Sequence, residues 1–401
     1  MRRSILVTLD YFLPGFKAGG PARTIANLIE HLGAEADFRI ITRDRDLEDE
    51  RPYPGIQPDC WTEFGSARVY YASPTSLTFR KLTALIRSTP HDVLYLNSLF
   101  SPRMTQVPLL ARRLGMLEAG RRWVLAPRGE LGAGALRIKS AKKRLWLAAG
   151  KAFGLVDDIV WQASTELEAN DIRAAFPNAD PPIVACDLPT HFSPAERDRS
   201  RLSGEPLRIV FLARIVPIKN LHFALAALAK VRVPVRFDIY GPLEDAEYWN
   251  RCQALMKRVP GHVEVRYRGA IEPDAIHRTL SAYDVFFLPS GGENFGHVMS
   301  EALQAGLPLL ISDQTPWQNL RQYGVGHSLP LTDEEPFVRA IEHYAGMNAA
   351  DWHSVAANVR RYVESLRAST AEAVASSRRL FGLPSPAAED PADARPGGSA
   401  R

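Results

Sequence analysis

Four charged side chains in the second half of the chain, Arg214, Lys219, Glu293 and Glu301, have the types and spacing to hold a molecule that is anionic at one end and rich in hydroxyls at the other. Arg214 and Lys219 lie in LRIVFLARIVPIKN, residues 207–220, where an apolar β-branched run gives way to a helix predicted to begin at Asn220, a residue type suited to an N-cap. Two cations there can neutralise a diphosphate without a metal, and a loop at the carboxyl end of a strand is where open α/β sheets bind ligands. Cations are unfavourable at the positive end of a helix dipole unless an anion is held there too, which weighs against an ordinary surface pair. Glu293 and Glu301 lie in DVFFLPSGGENFGHVMSEALQAGLPLLI, residues 284–311, which reads strand, glycine-rich loop, short helix, strand. Glu293 falls in the loop and Glu301 on the helix. Carboxylates in those places can accept hydrogen bonds from sugar and ribose hydroxyls, so the four together suit both halves of a sugar nucleotide.

The elements that must position these residues alternate. In the first half, strands are expected at 5–9, 38–41, 69–71, 93–96, 123–126 and 159–161, with a helix at 22–32 whose Ile25, Leu28, Ile29 and Leu32 recur at helical spacing. That βα rhythm implies a parallel, doubly wound sheet. A polar, proline-containing stretch over 187–206 interrupts it, and strands resume at 207–212, 236–240, 263–267, 285–288 and 308–311. The expected division is a first domain at 1–190, a linker at 191–206 and a second domain at 207–368. Helices at 335–346 and 351–367 have no sheet of their own to cover in this reading. The tail at 384–401, rich in Pro, Ala, Gly and Ser, is too poor in apolar residues to pack and is expected to be disordered.

Between the first strand and helix, Gly19 and Gly20 can bring backbone N–H groups close to an anion at a helix N-terminus, although a tight turn explains a lone pair of glycines equally simply. Lys17 is either a further cation of this loop or a solvated lysine. Asn294, Phe295 and Gly296 can add backbone donors where the later helix starts. Tyr240 and Gly241, with the RGAI segment at 268–271, are pocket candidates that a strand end plus turn also explains.

Composition bounds the alternatives. The chain has 401 residues, 46% of them hydrophobic, which suits two buried cores. Cys60, Cys186 and Cys252 are far apart, with no C-x-x-C spacing, so neither a disulfide framework nor a zinc site is supported and a reducing cytoplasm is the expected compartment. The amino-terminal apolar run is short and ends at Asp10, reading as a strand and not a signal peptide; no stretch approaches the ~20 apolar residues of a membrane span. The histidines form no H-x-H or HExxH set, and no bound metal is expected. A net charge of +4 and the lack of a recognisable nucleic-acid module argue against nucleic acid.

The ordered set of GG loop, R-x4-K at Arg214–Lys219, YGP at 240–242 and E-x7-E at Glu293–Glu301 resembles the retaining glycosyltransferases of family four, the glycosyl transferases group 1, of the bacterial surface-polysaccharide or lipopolysaccharide type. The resemblance runs from Gly19-Gly20 to the helices near Leu366. It implies a GT-B fold: two Rossmann-like α/β domains with parallel doubly wound sheets facing a central cleft, and terminal helices crossing back to the first domain. It further implies transfer of a sugar from a nucleotide-sugar to a glycan or lipid-linked acceptor, with retention and with no cofactor or metal. Arg214, Lys219 and Glu293 would be catalytic, with Glu293 on the transferred sugar. Gly19, Gly20, Tyr240, Gly241, Asn294, Phe295, Gly296 and Glu301 would bind the donor, with Glu301 on the ribose. Two departures stand out. Many members carry a histidine where this chain has Asn97-Ser98, and another where it has Pro127-Arg128-Gly129-Glu130. No catalytic histidine carries over, and Asn97, Arg128 and Glu130 become the candidate acceptor contacts.

Residues 135–154, ALRIKSAKKRLWLAAGKAFG, contain no acid. As a basic amphipathic helix this segment suits either an anionic membrane surface, making the protein peripheral on the inner face of the cytoplasmic membrane, or the protein's own core with a solvated basic face. A transferase for a small soluble acceptor, a non-catalytic membrane-docking partner of another transferase, and a non-hydrolysing sugar epimerase are the rival readings.

Overall fold

The computed structural model describes residues 2–132, 136, 140–190 and 205–384. Among them two open sheets form. The first has strands β1 (Arg3–Thr8), β2 (Ala36–Arg43), β3 (Trp61–Phe64), β4 (Ala67–Ala72), β5 (Val93–Asn97), β6 (Arg122–Ala126), β7 (Val160–Ala163) and β8 (Ile183–Val184), in the order β3-β4-β2-β1-β5-β6-β7-β8. The second has β9 (Leu207–Leu212), β10 (Val235–Tyr240), β11 (Val263–Tyr267), β12 (Val285–Leu288), β13 (Leu309–Ser312) and β14 (Gly326–Leu329), in the order β11-β10-β9-β12-β13-β14. All pairings are parallel except β3 with β4, a hairpin on the outer edge.

Strand order fixes where ligands go. In the first sheet the winding reverses between β1 and β5; in the second it reverses between β9 and β12. Loops leaving the carboxyl ends of strands at such a switch point diverge and leave a crevice. The crevice-forming loops are 9–19 and 98–101 in one domain and 213–220 and 289–296 in the other, the segments that carry the glycine pair and the charged motifs.

Both faces of each sheet are covered, as expected of parallel sheets. On β1, Ile5 and Val7 join one core while Leu6 joins another on the opposite face. The second domain has a core of its own that includes Phe211, Phe237, Phe286 and Phe287. The Glu335–Gly346 helix buries Phe337, Val338, Ile341 and Tyr344 in that core. It therefore does have a sheet to cover, contrary to the sequence expectation.

A second correction concerns the terminal helix. It does not stop at 367 but runs unbroken from Ala349 to Phe381, capped by Asn348 through a reciprocal box with Asp351 and ended by Gly382 in the left-handed region. Its first part buries Trp352, Val355, Val359 and Val363 against the second domain; its last turn buries Leu380 and Phe381 in the first, where Phe381 meets Phe38 and Tyr95 edge-on. Arg378 forks onto Glu35 at 2.6 and 2.8 Å. The helix thus ties both domains together. Most of the linker expected at 191–206, Arg137, Lys139, and the tail from residue 385 onward lie outside the described residues.

Candidate active site

The two motif loops of the second domain are stitched together before any ligand arrives. Ile218 O accepts from Gly291 N at 2.7 Å and Ser290 Oγ at 3.2 Å, which sets Lys219 Nζ 2.6 Å from Glu293 Oε1. The cation of one motif is therefore the counter-ion of the other. Asn220 departs from expectation: it occupies the N-cap position of the Leu221–Leu228 helix, but with φ 61° and no side-chain cap bond, after a short 3-10 turn over Pro217–Lys219.

Arg214 is held by the loop after β10. Ala213 N donates to Tyr240 O at 3.1 Å and Ile215 N to Pro242 O at 2.9 Å, so the two loops run side by side. Gly241 makes this possible. At φ 141°, a Cβ there would lie 1.8 Å from Ala213 O. Beyond it Glu244 receives Arg214 Nη1 at 2.9 and 3.2 Å. The Tyr240 hydroxyl bonds Tyr283, whose own hydroxyl donates to buried Asp238, so that side chain supports the wall and offers no free hydroxyl to a nucleotide.

The first domain closes the cleft from the other side. Gly19 sits at φ 81° against the Arg214 side chain, a position from which a Cβ would meet Nε at 3.4 Å, and the Gly20–Leu32 helix begins there with its N-terminus free of any side-chain cap. In its first turn Arg23 Nε lies 3.4 Å from Glu301 Oε1, and buried Thr24 bonds His297 Nε2 at 2.8 Å. Thr24 also donates to Asp187 at 3.0 Å, so the neutral His297 ring must present a protonated Nε2 to it. Asn294 Nδ2 reaches Ser164 Oγ across the cleft at 3.0 Å, and Gly129 lies directly against the Asn294 side chain.

Burial governs the electrostatics here. Glu301 is 4% exposed on the His297–Gln304 helix; desolvation pushes its carboxyl up to about 7, with Arg23 pulling the other way. Desolvation likewise drives His297 down to about 4, only partly opposed by Asp187. Glu244 is raised by burial against the pull of Arg214. Phe295 closes the floor beside His297 and Trp317, whose indole N–H donates to Phe295 O at 2.7 Å, and Gly296 turns the chain into the helix at φ 77°.

The candidate acceptor residues divide. Asn97 is buried and Arg128 nearly so; Arg128 gives Nε and Nη2 to Asn97 Oδ1, Nη2 to the Tyr95 hydroxyl and Nη1 to Asp187 at 2.7 Å. These two residues are engaged with each other and with Tyr95 and Asp187 inside the first domain. Glu130 accepts from Ser98 Oγ at 2.7 Å and Phe100 N at 3.1 Å, at the end of β5 where the resemblance would place a histidine. Burial raises its carboxyl, opposed by the Ser98 bond.

Sequence reasoning missed Arg23, Thr24, Asp187 and Glu244. A signal existed for Arg23: a cation in the first turn of a helix calls for a nearby anion, the argument already applied to Lys219. Among the described residues no three His, Cys, Asp or Glu side chains group as metal ligands, and no helix is long and apolar enough to cross a membrane.

Residues 192–343 match the model of the glycosyl transferases group 1. Phosphatidyl-myo-inositol mannosyltransferase of Mycobacterium leprae is 30% identical over 193 residues, 42% of this chain and 50% of that protein. The chain spans about half the length of the curated relatives it matches. Among solved structures, sucrose-phosphate synthase from Thermosynechococcus elongatus superposes with a TM-score of 0.71 at 20% identity, over 95% of this chain and 100% of that one. Anabaena HepE in complex with UDP and glucose superposes with a TM-score of 0.66 at 15% identity, over 95% and 100%. Residues 192–343 of the chain thus resemble the glycosyl transferases group 1, and the two domains together have the GT-B fold of these neighbours.

Proposed function

We propose that the chain moves a sugar from a nucleotide-sugar to a growing surface glycan, carried on a lipid, with retention at the anomeric carbon and without a metal. One observation carries this reading: the glycine loop of the first domain and the Arg214, Lys219–Glu293 and Glu301 groups of the second converge on a single cleft. A diphosphate laid there would meet the Arg214 guanidinium, the Lys219 ammonium and the amides at the start of the Gly20–Leu32 helix. Charge fixed in advance where a leaving group develops its own is often the largest catalytic contribution. Glu293 would take the transferred sugar's hydroxyls and Glu301 the ribose. In a front-side displacement the acceptor proton passes to a leaving phosphate oxygen, so the site needs no separate base.

The lipid side of the proposal rests on a surface. Leu145 and Phe153 are 72% and 64% exposed on and just beyond the Ser140–Ala152 helix, and Leu114 is 60% exposed after the Val107–Arg113 helix. Arg113 Nε donates to Phe153 O at 2.8 Å, which joins the two helices. Lys142, Arg144 and Lys151 are exposed around these apolar side chains, a composition that suits an anionic bilayer surface.

Release of nucleoside diphosphate from a panel of UDP-, GDP- and ADP-sugars, repeated in excess EDTA, tests the reading. Turnover of at least one donor that survives EDTA is expected. Failure to bind any nucleoside diphosphate would overturn the donor assignment, and strict dependence on added magnesium or manganese would overturn its metal-free form.

A further inference from the structure

We propose that Glu244 is a positioning residue for the donor chemistry, holding the Arg214 guanidinium so that its Nε edge faces the glycine loop. The inference rests on the donor reading above. Arg214 gives only Nη1 to Glu244, at 2.9 and 3.2 Å to the two carboxylate oxygens. The rest of the fork is turned elsewhere: Nε lies beside Gly19, where an added Cβ would meet it at 3.4 Å. A guanidinium bound through one terminal nitrogen keeps another edge for a second anion, and that geometry is fixed because the group is planar.

The carboxylate is the anchored end of the pair. The Glu244 side chain is 14% exposed and that of Arg214 35%. The backbone that carries Glu244 is pinned on both sides. Residues 240–242 are paired with 213–215, and Asp245 caps the Ala246–Met256 helix by accepting from Tyr248 N at 2.8 Å. Glu244 also borders a cavity of about 270 Å³ with Lys17, Glu48, Leu243 and Ala270. The open space beside the pair is thus reached by loops of both domains. Without the carboxylate, a long arginine side chain on a half-exposed loop would sample several rotamers, and the diphosphate would have to select one.

Calorimetric affinity for UDP, GDP and ADP in the intact chain, Glu244→Ala, Glu244→Gln, Arg214→Ala and the Arg214→Ala/Glu244→Ala pair tests this. Glu244→Ala should weaken the best-bound nucleotide roughly tenfold, within the coupling range for residues sharing an ion pair. Glu244→Gln, which keeps one carbonyl acceptor, should recover part of that loss, and the double variant should bind no worse than Arg214→Ala. Losses that multiply in the double variant, or a Glu244→Ala affinity equal to that of the parent, would overturn the inference while leaving the donor reading intact. A parent chain that binds none of the three nucleotides would overturn the donor reading, and this inference with it. Should Glu244→Ala not fold, the isosteric Gln variant and its double with Arg214→Ala carry the same comparison.

Discussion

Replacing Lys219 with alanine should do two things that can be measured apart. The ammonium lies 2.6 Å from Glu293 Oε1, and the two side chains are 15% and 10% exposed. Its removal deletes a cation from the proposed diphosphate cradle and strands a carboxylate in a mostly dry loop. The first effect should lower turnover by ~10²–10³, the scale for loss of one preorganised group opposite a developing anion. The second is structural. Breaking a fully buried pair by removing one partner costs about 3–5 kcal/mol, and the residual exposure here, with water free to enter the vacated space, brings this to roughly half, about 2 kcal/mol. For a domain of this size that is a fall in melting temperature of roughly 4–8 °C. Lys219→Ala/Glu293→Gln removes the stranded charge and should recover most of the stability while restoring no turnover. Urea midpoints and nucleoside diphosphate release on the parent and the two variants separate the effects. The reasoning fails if Lys219→Ala keeps near-parental turnover, or if the double variant is no more stable than Lys219→Ala.

The inner strands of both sheets were readable because their apolar runs are buried on both faces and stand between turn residues. β3, β8 and β14 were not: they are two to four residues long, and β3 and β8 lie at sheet edges with no fully buried side chain. A short edge strand is selected by its neighbour's unpaired backbone more than by its own sequence. Asn220 failed for a different reason. The same short amide side chain that favours an N-cap also tolerates the left-handed region, and the preceding 3-10 turn chose the latter. The terminal helix was cut short where its periodicity fades, around residues 364–372, because there it bridges the two cores and is mostly exposed all round. At the site, spacing along the chain exposed the four charges, since each motif is local. Their partners are not local: Arg23 to Glu301 and Thr24 to His297 join helices of the two domains, and Arg214 to Glu244 joins two loops of the second, pairs that only the folded arrangement brings together.

The remaining expectations concern the carboxylates, the buried histidine and the exposed basic face. Glu301→Ala should weaken binding of free nucleoside diphosphate, whereas Glu293→Ala should spare it and damage transfer; calorimetry beside turnover decides, and the reverse pattern refutes the division of roles. His297, pushed down to about 4 from an ordinary 6.5, stays neutral in the fold while the unfolded chain takes up the proton, so its contribution is complete above pH 6.5 and is lost as pH falls toward 4. Glu301, raised to about 7, acts with the opposite sign between about 4.5 and 7, so the comparison belongs in a Glu301→Gln background, where adding His297→Gln should flatten the urea midpoint between pH 6.5 and 4; an unchanged slope would show that His297 is not the group responsible. The last expectation is membrane docking by the face around Leu145 and Phe153. Each cation near an anionic leaflet contributes ~1 kcal/mol, screened beyond about a Debye length, so Lys142, Arg144 and Lys151 changed together to Gln should weaken sedimentation with phosphatidylserine vesicles by roughly 100-fold at low salt, while nucleotide affinity stays unchanged. Leu145→Ser/Phe153→Ser should weaken it as well, but by a factor that high salt does not erase, because the apolar contribution is unscreened. A parent chain that ignores such vesicles assigns the basic face to solvent, and a soluble acceptor then replaces the lipid-linked one.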